Sequence, residues 1–248
     1  MSKVILITGG SRGIGRSAAV LCGARGWSVG VNYATNRGAA DETVALVEAA
    51  GGRAIAIQGN VGEGADVIAL FDKTAQTFGP IDGFVNNAGV VAPGSALADM
   101  DVERMKRVFT INVLGAYLGA REAARRLSTK RGGRGGSIVN VSSAASRLGS
   151  PNEYVDYAGS KGAVDTLTIG LAKELGPEGV RVNAVRPGLI DTEIHASGGQ
   201  PDRAATLGVL APLGRPGTAD EVGESIVWLL SDASSYVTGA FLDVAGGR

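Results

Sequence analysis

The sequence has one cysteine, one histidine and no long apolar run, and two of these scarcities bear on where the protein works. Cys22 alone cannot form an internal disulfide, which suits a reducing compartment. No stretch is apolar enough over a sufficient length to cross a bilayer, and the N-terminus lacks the charged start and apolar run of a secretion signal. We therefore expect a cytoplasmic protein without a membrane partner.

Charge of one sign is not in excess either, because 24 basic residues balance 24 acidic ones. This balance provides no electrostatic reason to expect a nucleic acid or a membrane surface as partner. No cluster of metal-ligating residues is visible, and we expect no bound metal.

Short β-branched runs alternate with helical patterns along all 248 residues, without a linker, repeat or low-complexity segment. Strands are predicted near 4–7, 28–32, 53–58, 83–85, 137–142, 180–185 and 241–244. Helices are predicted up to 25 and near 37–50, 65–78, 101–127, 154–176 and 219–230. This alternation predicts one α/β domain, residues 1–248, whose parallel sheet is covered by helices on both faces.

A glycine-rich turn connects the first strand to the first helix. It consists of Thr8, Gly9, Gly10, Ser11, Arg12, Gly13, Ile14 and Gly15. Glycines let backbone N–H groups approach a pyrophosphate, and the N-terminus of the following helix favours negative charge. The alternative is a tight structural turn that binds nothing.

The same turn also fits the G-x-S-x-G pattern of a hydrolase nucleophile elbow, centred on Ser11. Asp191 and His195 follow in the order that such an enzyme requires. Against this hypothesis, Gly15 has no role in an elbow, and His195 lies in a Gly- and Ser-rich segment where we expect a surface loop. A serine hydrolase using Ser11, Asp191 and His195 is therefore the rival class of enzyme.

Ser143, Tyr157 and Lys161 form a second constellation in the middle of the chain. A β-branched run ends at Ser142 and Ser143, and Tyr157 and Lys161 lie four apart on the next predicted helix. Residues four apart share a face, so an ammonium near the phenol is expected to lower its pKa from about 10. Such a pair also occurs by chance, and its meaning depends on the other motifs.

Polar residues and glycines recur where the predicted strands end. They are Thr8-Gly9, Asn60-Val61, Asn86 to Gly89, Ser142-Ser143 and Pro187-Gly188. Ligands of parallel sheets bind beyond the carboxyl ends of the strands, so this recurrence predicts a binding crevice at that edge.

Together the motifs resemble the classical short-chain dehydrogenase/reductase family over nearly the whole chain. The matching positions are Thr8, Gly9, Gly13, Ile14, Gly15, Asn86 to Gly89, Asn112, Ser143, Tyr157, Lys161, Pro187 and Gly188. The resemblance implies a Rossmann-type doubly wound fold, a nicotinamide dinucleotide and a small carbonyl or alcohol substrate. It also implies a homotetramer, and small residues on the helices near 101–127 and 154–176 suit close packing against a partner.

The same resemblance implies roles for individual residues. Ser143, supported by Ser142, would hold the substrate oxygen, and Tyr157 would be the general acid in reduction and the base in oxidation. Lys161 would bind the nicotinamide ribose and lower the tyrosine's pKa, and Asn112 would hold a water in a proton relay. The cofactor would be lined by Gly9, Ser11, Arg12, Gly13, Ile14, Gly15, Asn60, Val61, Asn87, Ala88, Gly89, Tyr157, Lys161, Pro187, Gly188, Ile190 and Thr192. A non-catalytic dinucleotide-binding sensor would keep the glycine turn but has no need of the serine, tyrosine and lysine together.

Two features depart from the family pattern. Asn60 stands where the family usually has an aspartate at the adenine contact, although an amide oxygen can also accept from the adenine amine. Ser143 lies fourteen positions before Tyr157 (157 minus 143), one more than in many relatives. A bulge in the loop at 150–154 would absorb the extra residue.

The choice between the two nicotinamide dinucleotides depends on the end of the second strand. That strand ends at Asn32 and Tyr33, without the acid that would bind a free 2′-hydroxyl and repel a 2′-phosphate. Arg12 and Arg37 are placed to meet a phosphate, and a guanidinium can bond two of its oxygens. We therefore predict a preference for NADP(H) over NAD(H). The alternative is that both arginines are merely solvated.

The segment from about 191 to 215, between Pro187 and Pro216, is long and weakly periodic. We expect it to form a mobile lid over the substrate. Its side chains do not select among a 3-oxoacyl thioester, a sugar or polyol, and a small ketone or aldehyde.

Overall fold

The computed structural model describes residues 2–248, which form one sheet of seven strands between two layers of helices. All neighbouring strands are parallel, in the order β3-β2-β1-β4-β5-β6-β7. The strands are β1 (Val4–Ile7), β2 (Ser28–Tyr33), β3 (Arg53–Gln58), β4 (Gly83–Asn86), β5 (Gly136–Val141), β6 (Val180–Pro187) and β7 (Phe241–Val244).

The helices cover both faces of the sheet. They are α1 (Gly13–Ala24), α2 (Arg37–Ala49), α3 (Gly64–Phe78), α4 (Val102–Phe109), α5 (Gly115–Leu127), α6 (Ala145–Leu148), α7 (Val155–Leu175), α8 (Ile194–Ser197), α9 (Arg203–Gly208) and α10 (Ala219–Leu230). On one face, α1 and α10 pack over a core that includes Cys22 and Ile226. On the other face, α3, α5 and α7 pack over a core that includes Phe71 and Leu175. The predicted doubly wound α/β fold is confirmed.

The centre of the sheet explains where a ligand can bind. Strands β1 and β2 are buried along their whole length, as expected of strands with helices on both faces. From β1 the chain runs outward through β2 and β3, and then it returns to place β4 on the other side of β1. The loops after β1 and β4 therefore diverge and leave a crevice beyond the carboxyl ends of the strands.

Two predicted elements differ from the structure. The helix expected near 101–127 is divided into α4 and α5 by a π-helical turn at Thr110–Leu114, and such turns are frequent at functional sites. The weakly periodic segment at 191–215 contains the short helices α8 and α9. Within residues 2–248, no helix is both long and apolar enough to span a membrane.

Candidate active site

Two adjoining cavities occupy the crevice at the carboxyl edge of the sheet. The tyrosine cavity is lined by Ser143, Tyr157 and Lys161, and the glycine cavity is lined by Gly9 and Arg12, each together with other residues. Six residues line both: Ile14, Asn87, Gly89, Val91, Thr192 and Ile194. The two motifs that the sequence separates by more than a hundred residues therefore meet in one continuous cleft.

The glycine-rich turn is shaped by close approach of backbone to backbone. Gly9 has φ +62°, in the left-handed region that favours glycine. A Cβ on Gly15 would overlap the carbonyl oxygen of Gly9 and lie 2.6 Å from Asn87 Nδ2. Thr8 Oγ1 accepts hydrogen bonds from the backbone N–H groups of Asn87 and Ala88, at 3.0 and 3.1 Å. The turn is thus tied to the end of β4 and leaves room beside it, which fits a pyrophosphate.

Most residues expected to line the cofactor lie along this cleft. The glycine cavity is lined by Gly9, Ser11, Arg12, Gly13, Ile14, Gly15, Asn60, Val61, Asn87, Ala88, Gly89 and Thr192, and the tyrosine cavity by Tyr157, Lys161, Pro187, Gly188 and Ile190. Arg37 lines neither cavity, because its side chain is 76% exposed and pairs with Asp41 at 3.2 Å. The amide oxygen of Asn60 already accepts from the N–H of Gly62 at 3.0 Å.

Ser143, Tyr157 and Lys161 come together from β5 and α7. Ser143 follows the end of β5, its Oγ accepts from the N–H of Ala145 at 3.1 Å, and its hydroxyl lies near the Tyr157 phenol and lines the same cavity. Lys161 is buried one turn after Tyr157 on α7, and its Nζ donates to the carbonyl of Val141 at 2.7 Å. The two hydroxyls therefore face the same point of the cavity.

Burial sets the protonation of this group. Tyr157 is half-buried, and desolvation raises the pKa of its phenol, while the nearby Ser143 hydroxyl opposes this only in part. This is opposite to the direction expected from the sequence, because the ammonium of Lys161 is held by the Val141 carbonyl, 5.6 Å from the centre of the tyrosine ring. Burial likewise lowers the pKa of Lys161 from 10.5 to about 8, against the attraction of Asp165.

Asp165 and Arg186 support the site and were missed in the sequence. Ser142 Oγ donates to Asp165 Oδ1 at 2.6 Å, and Arg186 Nη2 donates to Asp165 Oδ2 at 2.9 Å. The signal was present, because Tyr157, Lys161 and Asp165 are spaced by four and lie on one face of α7. Ser142, which we expected to support Ser143, is thus hydrogen-bonded to Asp165.

Asn112 lies in the π-helical turn and is buried. Its Nδ2 donates to the carbonyl of Val90 at 2.9 Å and to Ser160 Oγ at 3.1 Å, and its Oδ1 accepts from the N–H of Val90 at 2.8 Å. These bonds link the loop after β4 to α7, beside the tyrosine.

The start of α7 is held by a buried ion pair. In the loop before it, Ser150 and Asn152 have φ values of +44° and +60°, in the left-handed region that favours glycine. Arg104 of α4 bonds both oxygens of Asp156, at 2.8 and 3.2 Å, and the two side chains are only 9% and 1% exposed. Burial would raise the pKa of Asp156, but the bonds from Arg104 and the Tyr157 N–H outweigh it and lower the pKa. The residue next to the tyrosine is thus a buried carboxylate.

The rival hydrolase residues are not brought together. His195 is half-buried on α8 rather than in a surface loop, because its Nε2 is hydrogen-bonded to the carbonyl of Ile190 at 2.9 Å. It lines the tyrosine cavity, whereas Ser11 lines the glycine cavity and Asp191 is exposed. Among residues 2–248, no group of three or more His, Cys, Asp or Glu side chains could hold a metal ion.

Comparisons with known proteins find relatives that match nearly the whole chain. Residues 9–248 match the family model described as enoyl-(acyl carrier protein) reductase. The chain is 51% identical to the uncharacterized oxidoreductase YgfF of Escherichia coli (strain K12), over 99% of both chains. It is 40% identical to the L-rhamnose 1-dehydrogenase (NAD(P)(+)) of Sphingomonas sp. (strain SKA58), over 99% of this chain and 95% of that one.

A solved structure has the same fold. The crystal structure of a short-chain type dehydrogenase/reductase from Mycobacterium marinum superposes with a TM-score of 0.91, at 35% identity, over 99% of this chain and 94% of that one. These comparisons support an oxidoreductase that acts on alcohol or carbonyl groups with a nicotinamide dinucleotide. The chain therefore belongs to the short-chain dehydrogenase/reductase family.

Proposed function

We propose that the protein interconverts a carbonyl and a secondary alcohol at Ser143 and Tyr157, with NADP(H) as the preferred cofactor. The observation that carries this proposal is that Ser143, Tyr157 and Lys161 line one cavity, which is continuous with the glycine cavity. When bound, the nicotinamide dinucleotide supplies or accepts the hydride.

Each residue has a distinct task in reduction. Ser143 and Tyr157 donate hydrogen bonds to the substrate oxygen, where negative charge develops, and Tyr157 then delivers the proton. Because burial raises the pKa of Tyr157, the phenol stays protonated at neutral pH and is ready to act as the acid. Lys161 holds the nicotinamide ribose and, while charged, favours the tyrosinate left after proton transfer. Asn112 fixes the loop after β4 and holds a water for the proton relay.

The test is a pair of substitutions assayed on a panel of carbonyls and alcohols by cofactor absorbance. Tyr157→Phe removes only a hydroxyl, so turnover should be lost while the dissociation constant for NADPH changes within a few-fold. Lys161→Ala should damage both turnover and NADPH binding. Near-normal turnover by Tyr157→Phe would refute the assignment, and activity lost in Ser11→Ala and His195→Ala would favour a hydrolase instead.

The preference for NADP(H) follows from what lies beyond β2. The glycine cavity there is lined by Tyr33, Ala34, Thr35 and Asn36, none of them acidic, and by Arg12. Arg37 starts α2 and would have to leave Asp41 to reach a phosphate, so Arg12 is the more important of the two arginines. The segment 191–215 would close over the bound dinucleotide and substrate as a lid.

Binding titrations decide the cofactor. The double variant Arg12→Ala with Arg37→Ala should lose roughly 2–4 kcal/mol of NADPH affinity and little NADH affinity, since hydrogen bonds to charged groups have this strength. The single variants should rank Arg12→Ala above Arg37→Ala. Equal losses for NADPH and NADH would overturn the preference.

We also propose a homotetramer in the cytoplasm. Phe109, Leu114, Tyr117 and Ile169 are large apolar side chains that α4, the π-helical turn, α5 and α7 leave exposed. A Cβ on Gly159, Gly162 or Gly170 of α7 would meet nothing within 4 Å, so another helix could pack closely there. The lone buried Cys22 suits a reducing compartment. Light scattering at micromolar concentration should give four times the mass of one chain, and a monomer would refute the tetramer.

A further inference from the structure

The part of the tyrosine cavity that the glycine cavity does not share has largely apolar walls. Ala145 and Leu148 of α6, Leu189, Ile190 and the ring of Tyr154 line them. The cavity volume is about 180 Å³. A cavity of roughly 150 Å³ is enough for one benzene ring. Part of this volume belongs to the bound cofactor, because Pro187 and Gly188 line the same cavity, so the space that remains suits a substrate built around one ring.

Arg203, a largely buried charged group of this cavity, is already paired within the protein. Arg203 donates to both oxygens of Glu153, at 2.8 and 2.7 Å, and its side chain is only 13% exposed. Its charge is thereby neutralised and cannot anchor an anionic substrate without breaking the pair. Arg248 also lines the cavity but is exposed, where solvent and salt screen its attraction for anions.

Few polar groups are free to bind additional hydroxyls. Burial lowers the pKa of His195, so its ring is neutral at pH 7, and its Nε2 is taken by the carbonyl of Ile190. Among residues 2–248, no Asp or Glu lines this cavity. Beyond Ser143 and Tyr157 at the reacting carbon, Ser150, Tyr154 and Thr192 offer one hydroxyl each, and Thr192 also lines the glycine cavity. A substrate with many hydroxyls would leave most of them without partners, which costs binding energy.

We propose that the substrate is a compact alicyclic ketone or its secondary alcohol, uncharged and with no more than one or two further oxygen functions. This inference rests on the proposed function, because it assumes that Ser143 and Tyr157 hold the reacting oxygen. Leu148 is a specificity-determining residue, since it contributes an apolar wall from α6, directly after Ser143 and β5.

The experiment compares kcat/KM between substrate classes in the same direction. With NADP+, cyclohexanol is compared with L-rhamnose and D-glucose, and with NADPH, cyclohexanone is compared with acetoacetyl-CoA. An apolar pocket rejects even one added hydroxyl by roughly 100-fold, so we expect at least that ratio in favour of the plain ring. Leu148→Ser should lower kcat/KM for cyclohexanol roughly tenfold, the usual effect of a changed apolar contact, and leave NADPH affinity unchanged. Leu46→Ser, a half-exposed leucine of α2, is the matched control and should change neither value.

The outcomes separate this inference from the proposed function. Sugars or acetoacetyl-CoA used as well as the plain ring compounds would overturn the substrate class and leave the reaction standing. Unchanged kinetics of Leu148→Ser on cyclohexanol would overturn the role of that residue. If no alcohol or carbonyl reacts although NADPH binds, the proposed function itself fails.

Discussion

The glycine cavity is formed mainly by backbone, whereas the tyrosine cavity is held together by pairs of charged side chains. Around the glycine turn, Thr8 and Asn87 bond to main-chain groups, and the critical residues have no side chain at all. Around the tyrosine, ion pairs join segments distant in sequence, such as Arg104 with Asp156 and Arg203 with Glu153, which are 52 and 50 positions apart. The glycine cavity thus depends on residues that lack a Cβ, and the tyrosine cavity depends on pairs of opposite charges.

The glycine cavity and the tyrosine cavity should respond differently to amino-acid substitution. A backbone cradle has little freedom to adjust, so an added methyl group forces the turn to move. A charge pair tolerates changes of shape but not the loss of one partner, because a charge left buried and unpaired is costly. The glycine cavity should therefore be sensitive to added volume, and the tyrosine cavity to lost charge.

The largest effect is expected where a buried pair is broken. Asp156→Ala leaves Arg104 without its partner and should lower the free energy of unfolding by about 3–5 kcal/mol, measured by urea denaturation. Glu103→Ala, next to Arg104 on α4, is the control, because the pair of Glu103 with Lys106 is exposed, and a loss of about 1 kcal/mol or less is expected. Similar losses in the two variants would remove the contrast between buried and exposed pairs.

Gly15→Ala tests the backbone cradle. Its Cβ would overlap the Gly9 carbonyl, so we expect a loss of about 1–3 kcal/mol in stability and weaker NADPH binding, measured by thermal melting and titration. In Gly64→Ala the nearest atom to the new Cβ is at 3.9 Å, and stability should be unchanged or slightly increased. Normal NADPH affinity in Gly15→Ala would contradict the close approach at this turn.

The pH dependence of kcat/KM and of stability tests the charge of Lys161. Since burial lowers the pKa of Lys161 from 10.5 to about 8, the folded protein loses this charge above pH 8, and kcat/KM for NADPH should fall about tenfold per pH unit. Stability should change in the opposite direction. Between pH 8 and 10.5 the unfolded chain still binds the proton, so Lys161 makes unfolding less favourable as the pH rises. A profile that stays flat to pH 10 would contradict the buried lysine.

The smallest effect concerns the pair between Arg203 and Glu153, which joins the segment at 191–215 to the loop before α7. Arg203→Ala should raise the KM for the substrate roughly two- to fivefold, as expected of a partly exposed pair, and leave NADPH affinity unchanged. Arg215→Ala removes an exposed arginine paired with Glu221 at the end of the same segment and should have no kinetic effect. A larger change in Arg215→Ala than in Arg203→Ala would show that the segment is anchored elsewhere.

Prediction from the sequence succeeded where the pattern is local. The alternation of strands and helices predicted the α/β fold, the motifs in combination predicted the family, and both are confirmed. It failed where several segments meet. His195 became half-buried against Ile190, and burial reversed the expected shift in the pKa of Tyr157.

The sequence by itself determined the order of the elements and the positions of the chemistry-bearing residues along them. Periodicity and glycine placement act over a few residues, and chain order then brings the strand ends to one edge of the sheet. Only the tertiary structure decided the environment of those residues. Solvent exclusion around Tyr157 and Lys161, and the pairing of Arg104, Glu153 and Asp165 with distant partners, depend on how separate segments pack in space. Such packing leaves no period in the sequence from which it could be predicted.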